Sequence, residues 1–182
     1  MRETKNLEFK EKLTNTFLKT VSAFANYGSG KIKFGIKDDG SIVGVKNPVE
    51  FCLNVENKIN DSIKPNPDYN LEIDPKTNVV TLTVKQGVNP PYLYKSKAYK
   101  SNDSASIEVD RSELSQLILI GENRTYDSLT AMNQNLSFNI LEEALKEKIG
   151  IKSLTSDILI TLNLERKDTS YTNAGELLAD KN

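Results

Sequence analysis

The sequence contains no histidine and one cysteine, Cys52, in 182 residues. Without histidine there can be no His-based catalytic triad and no His-containing zinc site. A lone cysteine cannot close a disulfide within the chain, which fits a reducing cytoplasm. Cys52 lies in an apolar helical pattern and reads as a core residue. No apolar run approaches the ~18 residues of a membrane span. The charged start, Arg2-Glu3-Thr4-Lys5, has no apolar segment of the kind that opens a secretion signal. Charge of one sign is missing too: the net charge is −1, so no whole-chain field points to nucleic acid or membrane. Internal repeats are absent, as are the phosphate-loop patterns G-x-x-x-x-G-K-[ST] and G-x-G-x-x-G, which leaves an ATP-linked module with little support.

What is present is unevenly spread. Residues 1–46 hold nine basic and five acidic residues, so the N-terminal region is basic and the remainder acidic. A local basic surface can bind phosphates without a high overall pI; the alternative is a solvated, lysine-rich face. The length fits one good-sized domain, or a domain and part of a second.

Leu7-Glu8-Phe9-Lys10 alternates as a strand, with Leu7 and Phe9 expected to face the core and Glu8 and Lys10 the other side. Residues 12–27 turn helical, with Leu13, Phe17, Val21 and Phe24 on one stripe and Gly28 at a left-handed C-cap. Residues 31–36 read as a strand, Asp38-Asp39-Gly40 as a turn, and residues 41–45 as the return strand. Asn47-Pro48-Val49-Glu50 opens a helix that ends near Ile63, before Pro65 and Pro67. Strands are expected over 71–73 and 79–84, and a short hairpin over 92–95 and 98–100. Asp110 and Glu113 form a capping box for a helix through Leu119. Residues 1–120 thus read as one domain and the polar stretch 121–135 as a linker. Residues 136–182 read as the helical start of a following region, the opening of something longer.

Four constellations bear on chemistry. Glu3, Glu8, Asp38 and Asp39 would converge if their strands pair, and a histidine-free carboxylate set favours Mg²⁺ or Mn²⁺. The simpler alternative pairs Glu8 with a lysine on its own face and leaves Asp38-Asp39-Gly40 as a turn. Gly28-Ser29-Gly30 runs from helix into strand, the reverse of a phosphate cradle, and reads as a helix stop. Tyr92, Tyr94 and Tyr99 interleave with Lys95, Lys97 and Lys100, a pattern that suits base stacking with phosphate neutralisation or a half-exposed hairpin. Ser104 and Ser106 have no visible base partner, so a covalent mechanism is set aside.

The run Glu3-x-x-x-Leu7-Glu8-Phe9-Lys10, then Lys19-Thr20-Val21-Ser22-Ala23-Phe24-Ala25-Asn26, resembles the opening of the Schlafen AlbA_2 domain, also described as divergent AAA-4 or DNA-binding. Gly28 through Gly44, Pro90-Pro91-Tyr92 and Tyr99 through Ala105 continue the likeness over roughly residues 1–120. The resemblance implies a mixed α+β fold, with a largely antiparallel sheet packed with helices. It implies a nucleic-acid-binding role, DNA or RNA, at the N-terminus of microbial transcriptional regulators or helicase-like proteins. Lys10, Lys19, Lys31, Lys33, Lys97 and Lys100 would then contact phosphates, with Tyr94 and Tyr99 as stacking groups. In animal Schlafens the similar domain is a metal-dependent ribonuclease with two glutamates and an aspartate; its pattern falls on Glu3, Glu8 and Asp38. Those enzymes join two such modules, so the same arrangement here would need a homo-oligomer. Thr4 replaces the usual serine, Gly28-Ser29-Gly30 the double glycine, and Lys100 an arginine, which removes bidentate phosphate geometry.

Overall fold

The structure, a computed structural model, describes residues 2–102 and 105–181, and Ser104 lies outside the described residues. The chain divides into two compact units, residues 1–122 and 123–182. The fold is mixed α+β.

In the first unit, strand β1 (Leu7–Lys10) leads into helix α1 (Phe17–Tyr27) and strand β2 (Gly30–Phe34). β1 and β2 lie parallel, joined by α1 as the crossover. Helix α2 (Pro48–Ser62) and the short strand β3 (Ile63–Lys64) follow, then β4 (Tyr69–Ile73) and β5 (Val80–Val84). β5 runs antiparallel between β2 and β4, giving the strand order β1-β2-β5-β4.

Alternation along these strands decides what each face buries. Ile32 and Phe34 of β2 and Val80, Leu82 and Val84 of β5 point to one face. There they meet Phe17, Leu18, Val21 and Phe24 of α1 and Val55 and Ile59 of α2, all essentially inaccessible to water. Burying each such side chain contributes about 1.5–3 kcal/mol. The Phe34 ring is held edge-on by Phe17 at 5.6 Å and Phe51 at 5.2 Å.

The register corrects one expectation. Leu7 and Phe9 pair with Lys31 and Lys33, so they lie on the sheet face away from α1, in a small cluster with Ile36 and Val79. Glu8 and Lys10 pair with Ile32 and Phe34 and turn toward the helix side. The strand is apolar on one face as expected, but the larger core belongs to the other face because α1 crosses there.

α1 starts at Phe17 rather than near Lys12, because the amides of Phe17, Leu18 and Lys19 close tight turns onto Thr14, Asn15 and Thr16. Nine of its eleven residues are buried, including Thr20, Ser22 and Asn26, so the helix is enclosed on nearly every side. It stops as its sequence suggested, but not by a left-handed cap. Gly28 has φ 152° and ψ 140°, which carries the chain directly into β2. A Cβ on Gly30 would lie 2.5 Å from the Phe24 ring, so both glycines of the loop are needed there.

Residues 41–45 do not form the expected return strand. Only an isolated Ile36–Ile42 bridge forms, because Gly35 O takes both the Val43 and Gly44 amides and folds the segment back on itself. Asn47 precedes α2 in a left-handed conformation, and its side chain bonds Glu50 instead of capping the backbone.

β6 (Leu93–Tyr94) pairs with β3, and β7 (Tyr99–Asn102) pairs with β8 (Ala105–Glu108), where the sequence reading had placed β6 and β7 in one hairpin. Between β6 and β7, Tyr94 and Lys97 exchange backbone hydrogen bonds across Lys95 and Ser96, both at positive φ. Helix α3 (Arg111–Gly121) opens with the expected Asp110–Glu113 capping box.

The second unit contains helices α4 (Asn139–Ile149), α5 (Ser156–Thr161) and α6 (Asn173–Leu178) around Phe138, Leu159 and Leu164. Residues 123–135, expected as a linker, are part of this unit. The Ala131 amide bonds Tyr171 O at 2.9 Å and the Asn173 amide bonds Leu129 O at 2.8 Å. No described helix is long and apolar enough to cross a membrane.

Candidate nucleic-acid interface

β1 is an edge strand, and the first residues of the chain fold over it. The Phe9 amide donates to Glu3 Oε1 at 2.7 Å, so a carboxylate covers an edge group that would otherwise face water. Glu8 Oε1 lies 2.5 Å from Lys10 Nζ on the same strand face, both side chains half-buried. Glu3, Glu8 and Asp38 line one cavity of about 230 Å³, together with Lys5, Lys10, Phe24 and Ser101. These three carboxylates are therefore brought to one cavity wall. Their arrangement is looser than a metal site: among the described residues no three carboxylate or thiol side chains stand close enough to hold an ion. Asp39 is engaged in its own turn, where it accepts the Ser41 amide and hydroxyl; these bonds hold its carboxyl below the ordinary range.

A second cavity, of about 360 Å³, is lined by Asn15, Thr16, Lys19, Tyr94, Lys95, Lys97 and Tyr99. The Lys19 ammonium sits 5.6 Å from the Tyr99 ring centre and the Lys95 ammonium 5.5 Å from that of Tyr94. Lys97 bonds Glu108 at 2.7 Å, and that bond raises its pKa. Lys58 reaches Asn15 at the rim, 2.8 Å away. The position of Lys95 at positive φ in a two-residue turn brings it to the same cavity as Lys97 and Lys19, and the Tyr-Lys interleaving is the sequence signal for it.

The remaining expected contacts scatter. Lys31 and Lys33 lie on the sheet face away from α1, beside Thr81 and Thr83. Lys10 lines the carboxylate cavity. Lys100 is ion-paired with Glu113, which raises the lysine pKa and, with the Asp110 amide, lowers that of the glutamate. Tyr94 and Tyr99 do not present open faces for stacking. They are 5% and 7% exposed, because Ser22 Oγ takes the Tyr99 amide and draws β7 onto α1. The two ring centres lie 6.4 Å apart with the rings tilted by 44°, and a lysine ammonium lies over each ring.

The motifs behind the resemblance acquire structural roles here. Asn26 Oδ1 accepts the Tyr92 amide at 2.7 Å, its Nδ2 donates to Tyr92 O at 3.0 Å, and Ser22 Oγ donates to the same carbonyl at 2.6 Å. α1 thus clamps the Pro90-Pro91-Tyr92 segment through side chains, which ties two sequence motifs into one feature. The Schlafen, AlbA_2 family matches residues 3–110, more than half of the chain and all of this apparatus. The chain belongs to the Schlafen AlbA_2 family. No curated protein matches it. Among solved structures, the AlbA_2 chain is similar to the DIP2311 protein of Corynebacterium diphtheriae at 16% identity and a TM-score of 0.50. That likeness covers 95% of this chain and 35% of the other and speaks to fold alone. This chain therefore spans about a third of that protein's length. It is also similar to the N-terminal domain of a RecG-related protein from Nitrosomonas europaea, at 19% identity, covering 60% of this chain and 83% of that one. The TM-score there, 0.40, is too low to argue from.

Proposed function

We propose that this AlbA_2 domain binds nucleic acid and serves as the nucleic-acid-binding part of a microbial transcriptional regulator. The observation that carries the reading is the convergence of Lys19, Lys95 and Lys97 on one cavity. Two of the three ammoniums rest on tyrosine rings, which hold them in place without neutralising them. A phosphate entering this cavity meets the ammoniums of Lys19 and Lys95, which pair with no carboxylate among the described residues, whereas Lys97 is shared with Glu108. Family membership supports the class of ligand.

The test is equilibrium binding of labelled DNA and RNA oligonucleotides across a salt series. Lys19→Glu and Lys95→Glu are expected to weaken binding at every sequence, because phosphate contacts position the strand without reading it. Absence of binding at low salt by the unaltered protein would sink the proposal.

A second reading, a Mg²⁺- or Mn²⁺-dependent endoribonuclease, is favoured by the placement of Glu3, Glu8 and Asp38 on one cavity. The donor set as arranged does not fit a divalent ion: Glu3 is engaged by the Phe9 amide and Glu8 by Lys10. No catalytic step is therefore derived through a metal. RNA cleavage that requires Mn²⁺ and is abolished by Glu8→Gln would establish this reading; Mn²⁺ without effect on cleavage or on melting temperature would remove it.

A further inference from the structure

Beside the carboxylate cavity lies another of about 240 Å³, and the two share Lys5, Phe24 and Ser101 as common wall. Their linings differ in kind. The first is dominated by carboxylates and lysines. The second has Ala23, Phe24 and Tyr27 from α1, with Asn6, Lys100 and Glu113 as its polar members. The ammonium of Lys5, on the wall that the two cavities share, beside an aromatic slot suits a nucleotide, whose phosphate is anionic and whose base is planar.

We propose that this second cavity takes a nucleobase, so that the domain accepts an unpaired nucleotide with its phosphate toward Lys5 on the shared wall and away from Glu3, Glu8 and Asp38. The inference rests on the nucleic-acid reading above and deepens it. Tyr27 is 43% exposed, and among the described residues of the first unit it is the exposed aromatic ring, whereas Tyr92, Tyr94 and Tyr99 are buried. It supplies the stacking surface that Tyr94 and Tyr99 do not. The Asn6 side-chain amide offers both a donor and an acceptor to a base edge, and the Lys100–Glu113 ion pair forms the polar end of the slot. Ser101 Oγ donates to Lys5 O at 3.1 Å and straps the wall between the two cavities. A base inside a duplex is stacked and paired and cannot enter such a slot, whereas a base splayed from a single strand can.

The test compares a short labelled single strand with the same sequence as a duplex, bound to the full chain. Unaltered protein is expected to prefer the single strand. Tyr27→Ala should weaken single-strand binding by roughly tenfold or more and leave duplex binding unchanged. Tyr27→Phe, which keeps the ring, should bind as the unaltered protein does, and circular dichroism checks that each variant is folded. Equal binding of both nucleic acids by the unaltered protein overturns the base slot, as does a Tyr27→Ala variant that keeps the original preference. Both outcomes leave the lysine cavity standing if Lys19→Glu still weakens binding. No binding of either nucleic acid would instead remove the broader reading and this one with it.

Discussion

The side-chain amide of Asn26 pairs with both backbone groups of Tyr92, at 2.7 and 3.0 Å, while Ser22 Oγ shares the Tyr92 carbonyl at 2.6 Å. The carbonyl therefore has two donors and the amide one acceptor. Asn26→Ala leaves the buried Tyr92 amide unsatisfied and should cost about 1–3 kcal/mol, read by urea unfolding. Ser22→Ala alone should cost less at Tyr92, because Asn26 still serves the carbonyl. The double substitution orphans the carbonyl as well, so its cost should exceed the sum of the single ones; strict additivity would show that the shared acceptor is unimportant. None of this was legible in the sequence. The partner of Ser22 and Asn26 lies 66 to 70 residues away, beyond the reach of any local period. The Glu8–Lys10 pair was legible, because alternation puts residues two apart on one face of a strand.

At the scale of elements, close approach and capping set the sensitive points. α3 ends at Gly121, where a Cβ would fall 1.7 Å from Pro90 O. Gly121→Ala must push helix and proline loop apart and should cost about 1–3 kcal/mol, the range for overpacking. Gly150 terminates α4 at φ 72° with open space around it, so Gly150→Ala should cost only about 1 kcal/mol of backbone strain. Similar losses for both would argue against the α3–Pro90 contact. At the other end of α4, Asp180 accepts the Ile140 and Asn139 amides at 2.9 and 3.0 Å. These bonds hold its carboxyl down at about 2, against an ordinary 3.8. The stabilisation is complete at neutral pH and fades as pH falls from about 4 through 2. Melting temperatures of Asp180→Ala and the unaltered chain should therefore differ at pH 7 and converge near pH 2. Elements with their own punctuation, such as the Asp110–Glu113 box, were legible; the 41–45 segment was not, because Gly35 O captures its amides from outside the pattern.

Across the whole molecule, the lysine excess of the N-terminal region does not form one continuous basic face. Lys31 and Lys33 point away from α1, Lys10 and Lys100 are ion-paired, and Lys19 and Lys95 gather at one cavity with Lys97, itself paired with Glu108. If binding follows that cavity, the salt slope should be shallow. Each phosphate contact contributes about 0.7 to it on a single strand, so Lys19 and Lys95 give about 1.4, with at most one contact more from Lys97, which is shared with Glu108. Replacing Lys19 should lower the slope by about one contact, while Lys31→Ala should leave it unchanged. Net charge could not reveal this, since faces are assigned by register and register needs the partner strand. The two units have separate cores, so residues 1–122 alone should unfold cooperatively and keep the binding of the full chain. α1 packs the core with Phe17, Val21 and Phe24, holds the proline loop with Ser22 and Asn26, and sends Lys19 and Tyr27 into different cavities. A helix turns about 100° per residue. A single insertion or deletion within it would rotate all downstream positions out of these assignments together, so α1 can vary by substitution but not by length.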